Sequence, residues 1–230
     1  MPNTIAERLQ ATLSAIAKAA ELAQRPASDI QLLAVSKTKP VSDIMLAYTA
    51  GQRHFGENYV QEGVAKTEEL AHLSDLVWHF IGPIQSNKSA FVAKNFSWCH
   101  SIDRLKIAKR LSAQRPEALP ALNVCIQVNI NMEETKSGFT PEEVSSAAQI
   151  IAELPNLNLR GLMAIPKASQ SEPELAATFA ALHDMFTDLQ THYPSVDTLS
   201  MGMSGDLEAA ISEGASIVRI GTDIFGPRNL

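Results

Sequence analysis

The segment Leu-Leu-Ala-Val-Ser-Lys-Thr-Lys-Pro, at positions 32–40, joins an apolar run to a lysine and ends at a proline. Four consecutive apolar residues predict a buried strand of a parallel sheet, because a strand covered on both faces shows a run rather than an alternation of apolar residues. Lys37 then lies at the carboxyl end of the strand, the edge at which α/β sheets and barrels hold their ligands. Leu33, Val35 and Lys37 share one face through the two-residue strand period, so an inward face carries the lysine into the mouth of a barrel.

Lys37 has two interpretations at this position. An amine among apolar neighbours is costly to keep charged, which makes it a better nucleophile toward an aldehyde and a candidate for a Schiff base. The alternative is a lysine at a strand end that extends its amine into water. Other parts of the sequence are needed to decide between these two interpretations of Lys37.

Apolar runs and helical segments alternate along the chain. The runs predict eight strands, at 31–37, 54–58, 77–82, 97–102, 123–130, 159–165, 198–202 and 217–221. Segments with helical periodicity lie between several of them, at 41–50, 60–72, 104–112, 141–154, 174–191 and 206–213. Eight βα units close naturally into an α/β (β/α)8 TIM barrel, here with an extra N-terminal helix at 5–23 that Thr4 caps.

Composition narrows the class of protein. A length of 230 residues suits one barrel of about 200 to 250 residues, so we expect a single domain over 1–230. The net charge of −6 argues against a nucleic-acid surface. Cys99 and Cys125 match no metal or redox motif and are expected to be buried thiols. No secretion signal or bilayer-length apolar stretch is present, so we expect a cytoplasmic protein without membrane contact.

Small and hydroxyl residues follow the last two predicted strands. Segment 198–206 reads Thr-Leu-Ser-Met-Gly-Met-Ser-Gly-Asp and runs from a strand into a helix, and segment 217–222 ends in Gly-Thr. Loops after the seventh and eighth strands are where this type of barrel commonly binds a phosphate. Each loop alone is more typical of a simple tight turn than of a phosphate site. Together they favour an anion site.

Three further polar residues lie on or near the expected rim. Arg219 sits in an otherwise apolar strand and needs a buried acceptor, either a carboxylate such as Glu57 or Asp206, or a ring nitrogen or anion of a ligand. Asn58 either orients a ligand or caps the next helix. His79, between two aromatic residues, is more typical of a core histidine than of a general base.

At this point several motifs match a known family. The sequence closely resembles the pyridoxal phosphate homeostasis proteins, also called proline synthetase co-transcribed homologues. The resemblance rests on segments spread over nearly the whole chain, at 33–38, 55–62, 78–82, 85–88, 101–103, 136–139, 162–163, 199–204 and 218–222. Two positions depart from the family's pattern: Pro83 replaces a usual histidine, and Gly205 a larger or acidic residue.

The resemblance implies a fold like the barrel half of alanine racemase, the fold type III of pyridoxal 5'-phosphate proteins. It implies a Schiff base between Lys37 and the cofactor aldehyde, and it places Arg219 at the pyridine nitrogen. Asn58 also belongs to a family motif and is expected to bind the cofactor. Four residues are implied to hold the cofactor phosphate: Ser200, Ser204, Gly221 and Thr222.

The function predicted on this basis is non-catalytic binding of pyridoxal 5'-phosphate for intracellular vitamin B6 homeostasis. Apo-enzymes that use the cofactor are the expected acceptors, and the chain is expected to be a monomer without metal. The sequence ends just past the eighth strand, so we expect no added β domain, which in racemases supplies a second base. A residual amino-acid racemase of the alanine racemase type is the alternative, and a Schiff-base aldolase on the same barrel is a third.

Overall fold

The structure, a computed structural model, describes residues 4–167 and 169–227. Eight parallel strands pair in chain order and close into a barrel, since β1 pairs with β2 on one side and with β8 on the other. The strands are β1 (Gln31–Val35), β2 (His54–Glu57), β3 (Val77–Phe80), β4 (Trp98–Ile102), β5 (Leu122–Val128), β6 (Leu157–Ala164), β7 (Thr198–Ser200) and β8 (Ile217–Ile220). The predicted (β/α)8 barrel is confirmed.

Helices cover the outside of the barrel. They are α1 (Ile5–Leu22), α2 (Val41–Thr49), α3 (Val60–Glu69), α4 (Ser89–Asn95), α5 (Leu105–Gln114), α6 (Val144–Ala152), α7 (Glu172–His192), α8 (Leu207–Ser212) and α9 (Thr222–Phe225). α4 and α9 are absent from the sequence prediction because each is too short to show a helical period. None of the helices in the described part of the chain is both long and apolar enough to cross a lipid bilayer.

The extra helix α1 begins where its capping signal predicts. Thr4 accepts a hydrogen bond from the Glu7 amide, and the Glu7 carboxylate accepts one from the Thr4 amide, so two amides of the first turn are satisfied. The buried face of the helix packs against α8 and α9, close to the end of the barrel wall. The N-terminal helix therefore supports the elements that follow β7 and β8.

Except at β4, the predicted strands extend one or two residues past the carboxyl ends of the observed ones. β1 ends at Val35, and Ser36 and Lys37 lie in the turn that follows it. Arg219, which pairs in register with Leu33, lies on β8. The carboxyl ends of the strands therefore open toward Lys37, with Arg219 one layer further inside the barrel.

Candidate functional site

A cavity of about 290 Å³ opens at the carboxyl ends of β1, β2, β3, β6, β7 and β8. It contains six of the seven residues that the sequence analysis places in the site. They are Lys37, Asn58, Ser204, Arg219, Gly221 and Thr222, and the rest of the lining is Val35, Ile81, Ile165, Met203 and Gly205. The seventh, Ser200, does not line this cavity.

A buried ion pair supports the turn that carries Lys37. The Lys66 amine on α3 donates to the Glu57 carboxylate at 2.8 Å and to the Ser36 carbonyl oxygen at 2.8 Å. The Ser36 hydroxyl donates to the same Glu57 oxygen at 2.6 Å. Ser36 precedes Lys37 directly, so this pair fixes the backbone on one side of the lysine.

The other side of Lys37 is fixed by α3 as well. Thr38 has a positive φ of 61°, which is strained for a β-branched residue. Its amide donates to the Glu62 carboxylate at 2.6 Å, and Glu62 also accepts from the Lys66 amine at 2.6 Å. One lysine and two glutamates thus hold the turn on both sides of Lys37.

Glu57 is fully buried, and this environment changes its acidity. Burial raises the pKa of the Glu57 carboxyl, and the nearby Lys66 and Ser36 partly oppose that effect. The second carboxylate oxygen of Glu57 has no hydrogen-bond partner among the described residues. The idea that Glu57 pairs with Arg219 is wrong, since the Glu57 carboxylate is bound by α3 instead.

Arg219 is buried and bonded to neutral acceptors. It donates from Nη1 to the Ser200 hydroxyl at 2.8 Å and from Nη2 to the Ala164 carbonyl oxygen at 3.0 Å. Burial lowers the pKa of Arg219 to about 10, while the negative charge of Asp206 opposes that shift. Among the described residues the hydrogen bonds of Arg219 go to neutral oxygens, and the Asp206 carboxylate accepts a hydrogen bond from the Met203 amide instead. Arg219 therefore keeps donor capacity on the cavity side.

Ser200 is buried below the cavity floor. Its hydroxyl bonds Arg219 on one side and His100 Nδ1, at 2.8 Å, on the other. Both hydrogen-bond partners of the hydroxyl are protein groups, and the contact between Ser200 and a phosphate stays a prediction. The serine next along the loop on the cavity side is Ser204, which is exposed and lines the cavity.

Asn58 does not cap the helix that follows it. The N-cap of α3 is Tyr59, and the helix has no side-chain cap. The Asn58 amide oxygen is buried in the cavity wall without a hydrogen-bond partner among the described residues. A buried acceptor without a partner is costly, so this oxygen is available to a ligand donor.

Three histidines in the barrel interior were not recognised as a group in the sequence. His54, His79 and His100 come from β2, β3 and β4 and bond one another in a row, with nitrogen–nitrogen distances of 2.9 Å. On β4, for example, Trp98 and His100 share one face through the two-residue strand period. This spacing indicates which residues of one strand face the barrel interior. It does not show which residues of different strands meet there.

Lys136 lies in a neighbouring cavity of about 260 Å³, together with Asn129 and Pro83. Its amine pairs with the Glu133 carboxylate at 2.7 Å and donates to the Pro166 carbonyl oxygen at 3.2 Å. The two cavities share Asn58. Lys136 is therefore held beside the Lys37 cavity without lining it.

Comparison with known proteins identifies the family. The family model described as alanine racemase, N-terminal domain, matches residues 11–229. The pyridoxal phosphate homeostasis protein of Pseudomonas aeruginosa is 54% identical over 227 residues, which cover 99% of this chain and 97% of that protein. The protein of the same name in Escherichia coli K12 is 54% identical over 232 residues, covering 99% and 98%. The chain belongs to the pyridoxal phosphate homeostasis protein family.

One similar structure has been solved with pyridoxal phosphate bound. PipY of Synechococcus elongatus PCC7942, with pyridoxal phosphate bound, superposes with a TM-score of 0.83 at 38% identity, over 97% of this chain and 100% of that one. The family and the fold named in the sequence analysis are both confirmed. For a pyridoxal phosphate homeostasis protein, the cavity described above offers a lysine, a buried arginine and an amide oxygen that lacks a partner.

Proposed function

We propose that this chain binds pyridoxal 5'-phosphate in the 290 Å³ cavity and takes part in vitamin B6 homeostasis by storing the cofactor and handing it to apo-enzymes. The proposal rests on one observation: Lys37 and Arg219 line the same cavity at the carboxyl ends of the strands. Membership of the pyridoxal phosphate homeostasis protein family agrees with it.

The chain's own residues fit the different parts of this cofactor. Lys37 would hold the aldehyde carbon as a Schiff base, which forms a C=N bond and releases one water. Arg219 is the donor available to the pyridine nitrogen. The buried amide oxygen of Asn58 would accept a bond from the ring hydroxyl. Ser204 and Thr222 offer hydroxyls on the exposed side of the cavity, where an anionic phosphate remains partly hydrated.

Carrier function suits this cavity better than catalysis. Bound pyridoxal phosphate supplies an electron sink that is strongest when its ring nitrogen is protonated. Arginine offers hydrogens and accepts none, so Arg219 keeps a facing nitrogen unprotonated and the sink weak. Among the described lining residues the titratable side chains are Lys37 and Arg219. A racemase needs a second acid or base on the opposite face of its substrate, and this lining provides none.

A residual racemase is the second candidate, favoured by the match of the alanine racemase family model to residues 11–229. The two functions differ in turnover. We expect the purified protein to take up pyridoxal phosphate, to racemise alanine and other amino acids no faster than free cofactor does, and to reactivate an apo-aminotransferase. Amino-acid racemisation well above the free-cofactor rate, lost in Lys37→Ala, would overturn the carrier function.

A control keeps delivery separate from simple release. Free cofactor at the concentration that the protein loses in buffer sets the background of apo-enzyme reactivation. Reactivation faster than this background supports transfer between the two proteins. Reactivation at the background rate would reduce the function to storage.

A further inference from the structure

The barrel interior contains a continuous chain of hydrogen bonds that ends at Arg219. It runs from the half-buried His54 through His79, His100 and Ser200, with successive distances of 2.9, 2.9 and 2.8 Å, and reaches Arg219 after a further 2.8 Å. These residues come from β2, β3, β4, β7 and β8. The chain therefore crosses the barrel below the cavity floor, and its last member lines the cavity.

The direction of every bond in this chain follows from Arg219. A guanidinium donates and cannot accept, so the Ser200 oxygen is the acceptor in their bond. The Ser200 hydrogen then goes to its other neighbour, His100 Nδ1, because no further acceptor contacts that hydroxyl in the described part of the chain. With Nδ1 accepting, neutral His100 carries its hydrogen on Nε2 and donates it to His79 Nδ1. In the same way, neutral His79 carries its hydrogen on Nε2 and donates it to His54 Nδ1.

The direction of these hydrogen bonds stabilises the buried guanidinium of Arg219. Each link turns its acceptor end toward Arg219, so the aligned dipoles favour the positive charge that burial makes costly. Bonds aligned head to tail also polarise one another and strengthen. The three imidazoles have to stay neutral in this arrangement. Burial lowers the pKa of all three, for His100 to about 3, where the charge of Arg219 adds to the effect.

Packing holds the rings in place. Trp98 stacks on His79 with a centroid distance of 5.3 Å and an interplanar angle of 14°. The Arg160 guanidinium lies over the Trp98 ring, 4.6 Å from the ring centre. Among the described residues, no group of three or more His, Cys, Asp or Glu is arranged to hold a metal ion. The three histidines therefore form a linear series of hydrogen bonds and do not converge on a common metal position.

We propose that His54, His79, His100 and Ser200 are positioning residues for Arg219, and that they lock it in the orientation and hydrogen-bonding state with which it meets the ring nitrogen of the cofactor. The proposal rests on the function proposed above, because it concerns the ring that Arg219 faces. Ser200 contacts Arg219 directly, so its loss removes one of the two bonds that hold the guanidinium. The loss of His100 leaves the Ser200 hydroxyl without its acceptor.

The first test needs no cofactor. In protein labelled with ¹⁵N-histidine, long-range ¹⁵N–¹H correlation spectra at neutral pH report the tautomer of each ring. We expect three neutral rings protonated on Nε2, with the Nε2 hydrogens of the buried His79 and His100 protected from solvent exchange, and no such constraint on the exposed His72. A charged ring, or an Nδ1–H tautomer, at His79 or His100 would overturn the proposal.

The second test uses a matched pair at His100 and pyridoxal phosphate labelled with ¹⁵N in its ring. His100→Asn keeps an acceptor near the Nδ1 position, and His100→Leu removes it. We expect His100→Leu to shift the ring-nitrogen resonance and to weaken cofactor binding about threefold to tenfold, because the Ser200 hydroxyl loses its acceptor and no longer holds its oxygen toward Arg219. His100→Asn should restore most of both, and His72→Leu on the surface should change neither.

The outcomes separate the two proposals. A Lys37 adduct whose ring-nitrogen resonance is the same in His100→Leu and the wild type overturns the positioning role alone. The absence of any adduct overturns the proposed function, and the positioning role with it. If His100→Leu fails to fold, Ser200→Ala breaks the same chain with a smaller change in volume, and the tautomer measurement on the wild type stands independently.

Discussion

Lys66→Met is the substitution whose effect the structure specifies most fully. Lys66 is 5% exposed, and its amine donates to Glu57, Glu62 and the Ser36 carbonyl oxygen. Methionine has a similar length and no charge. The variant therefore leaves the fully buried Glu57 carboxylate without its cation, in a place that water cannot reach.

The magnitude follows from the kind of pair that is broken. Removing one partner of a buried ion pair costs about 3–5 kcal/mol, because the other charge stays buried and uncompensated. The Glu62 contact is partly exposed and adds little to this figure. For a protein of this size the loss corresponds to a decrease in melting temperature of roughly 6–20 °C. Cofactor affinity should fall as well, since the turn on both sides of Lys37 loses its support.

The loss depends on pH in a defined direction. Burial raises the pKa of Glu57 in the folded state above its unfolded value, so the folded protein binds this proton more tightly than the unfolded chain does. A group of this kind contributes stability below the unfolded pKa that is lost as the pH rises through the folded pKa. Lys66→Met raises the folded pKa further. The stability deficit should therefore be smaller near pH 5 than near pH 8.

Urea unfolding at the two pH values measures this deficit. Lys106→Met, on the exposed side of α5, is the matched control and should stay within about 0.5 kcal/mol of wild type. The double variant Glu57→Gln/Lys66→Met removes the unpaired charge and should recover at least half of the loss. A deficit below about 1 kcal/mol for Lys66→Met, or one that is equal at both pH values, would refute the reasoning.

Two further predictions concern the interior and the loop after β7. Burial raises the pKa of the Cys99 thiol to about 11 and raises that of Cys125 further. Neither thiol should therefore react with a disulfide reagent at pH 8 until the protein unfolds. Rapid labelling of the native protein would contradict this. Gly202 has a φ of +95°, and a Cβ there would lie 2.6 Å from the Ala210 Cβ, so Gly202→Ala should cost about 1–3 kcal/mol in urea unfolding. Gly205→Ala, in open space, should not, and equal losses would count against this view of the loop.

The barrel was predictable because its signal is local and repeated. Apolar runs such as 32–35 recur eight times, and each marks a strand covered on both faces. The carboxyl ends of such strands meet at one rim, so the sequence also places Lys37 and Arg219 near each other. The short helix α4 carries no comparable period over its 7 residues and was missed.

The inside of the site was harder to predict because it depends on contacts across the barrel. Ser200 and Ser204 look alike in the sequence, yet one is buried beneath Arg219 and the other is exposed in the loop. Glu57 looks like a partner for Arg219, but α3 brings Lys66 to it instead. Residues far apart in the sequence meet only when the strand order and the tilt of the barrel are known.

The covalent attachment of pyridoxal 5'-phosphate to Lys37 is the central claim, and borohydride reduction tests it most directly. Reduction of the cofactor-loaded protein fixes a Schiff base as a stable secondary amine, and peptide mass mapping then locates it. We predict a single stoichiometric adduct on the peptide that contains Lys37, and its loss in Lys37→Ala. A protein without any adduct, or with an adduct distributed over exposed lysines and unchanged in Lys37→Ala, would contradict the account.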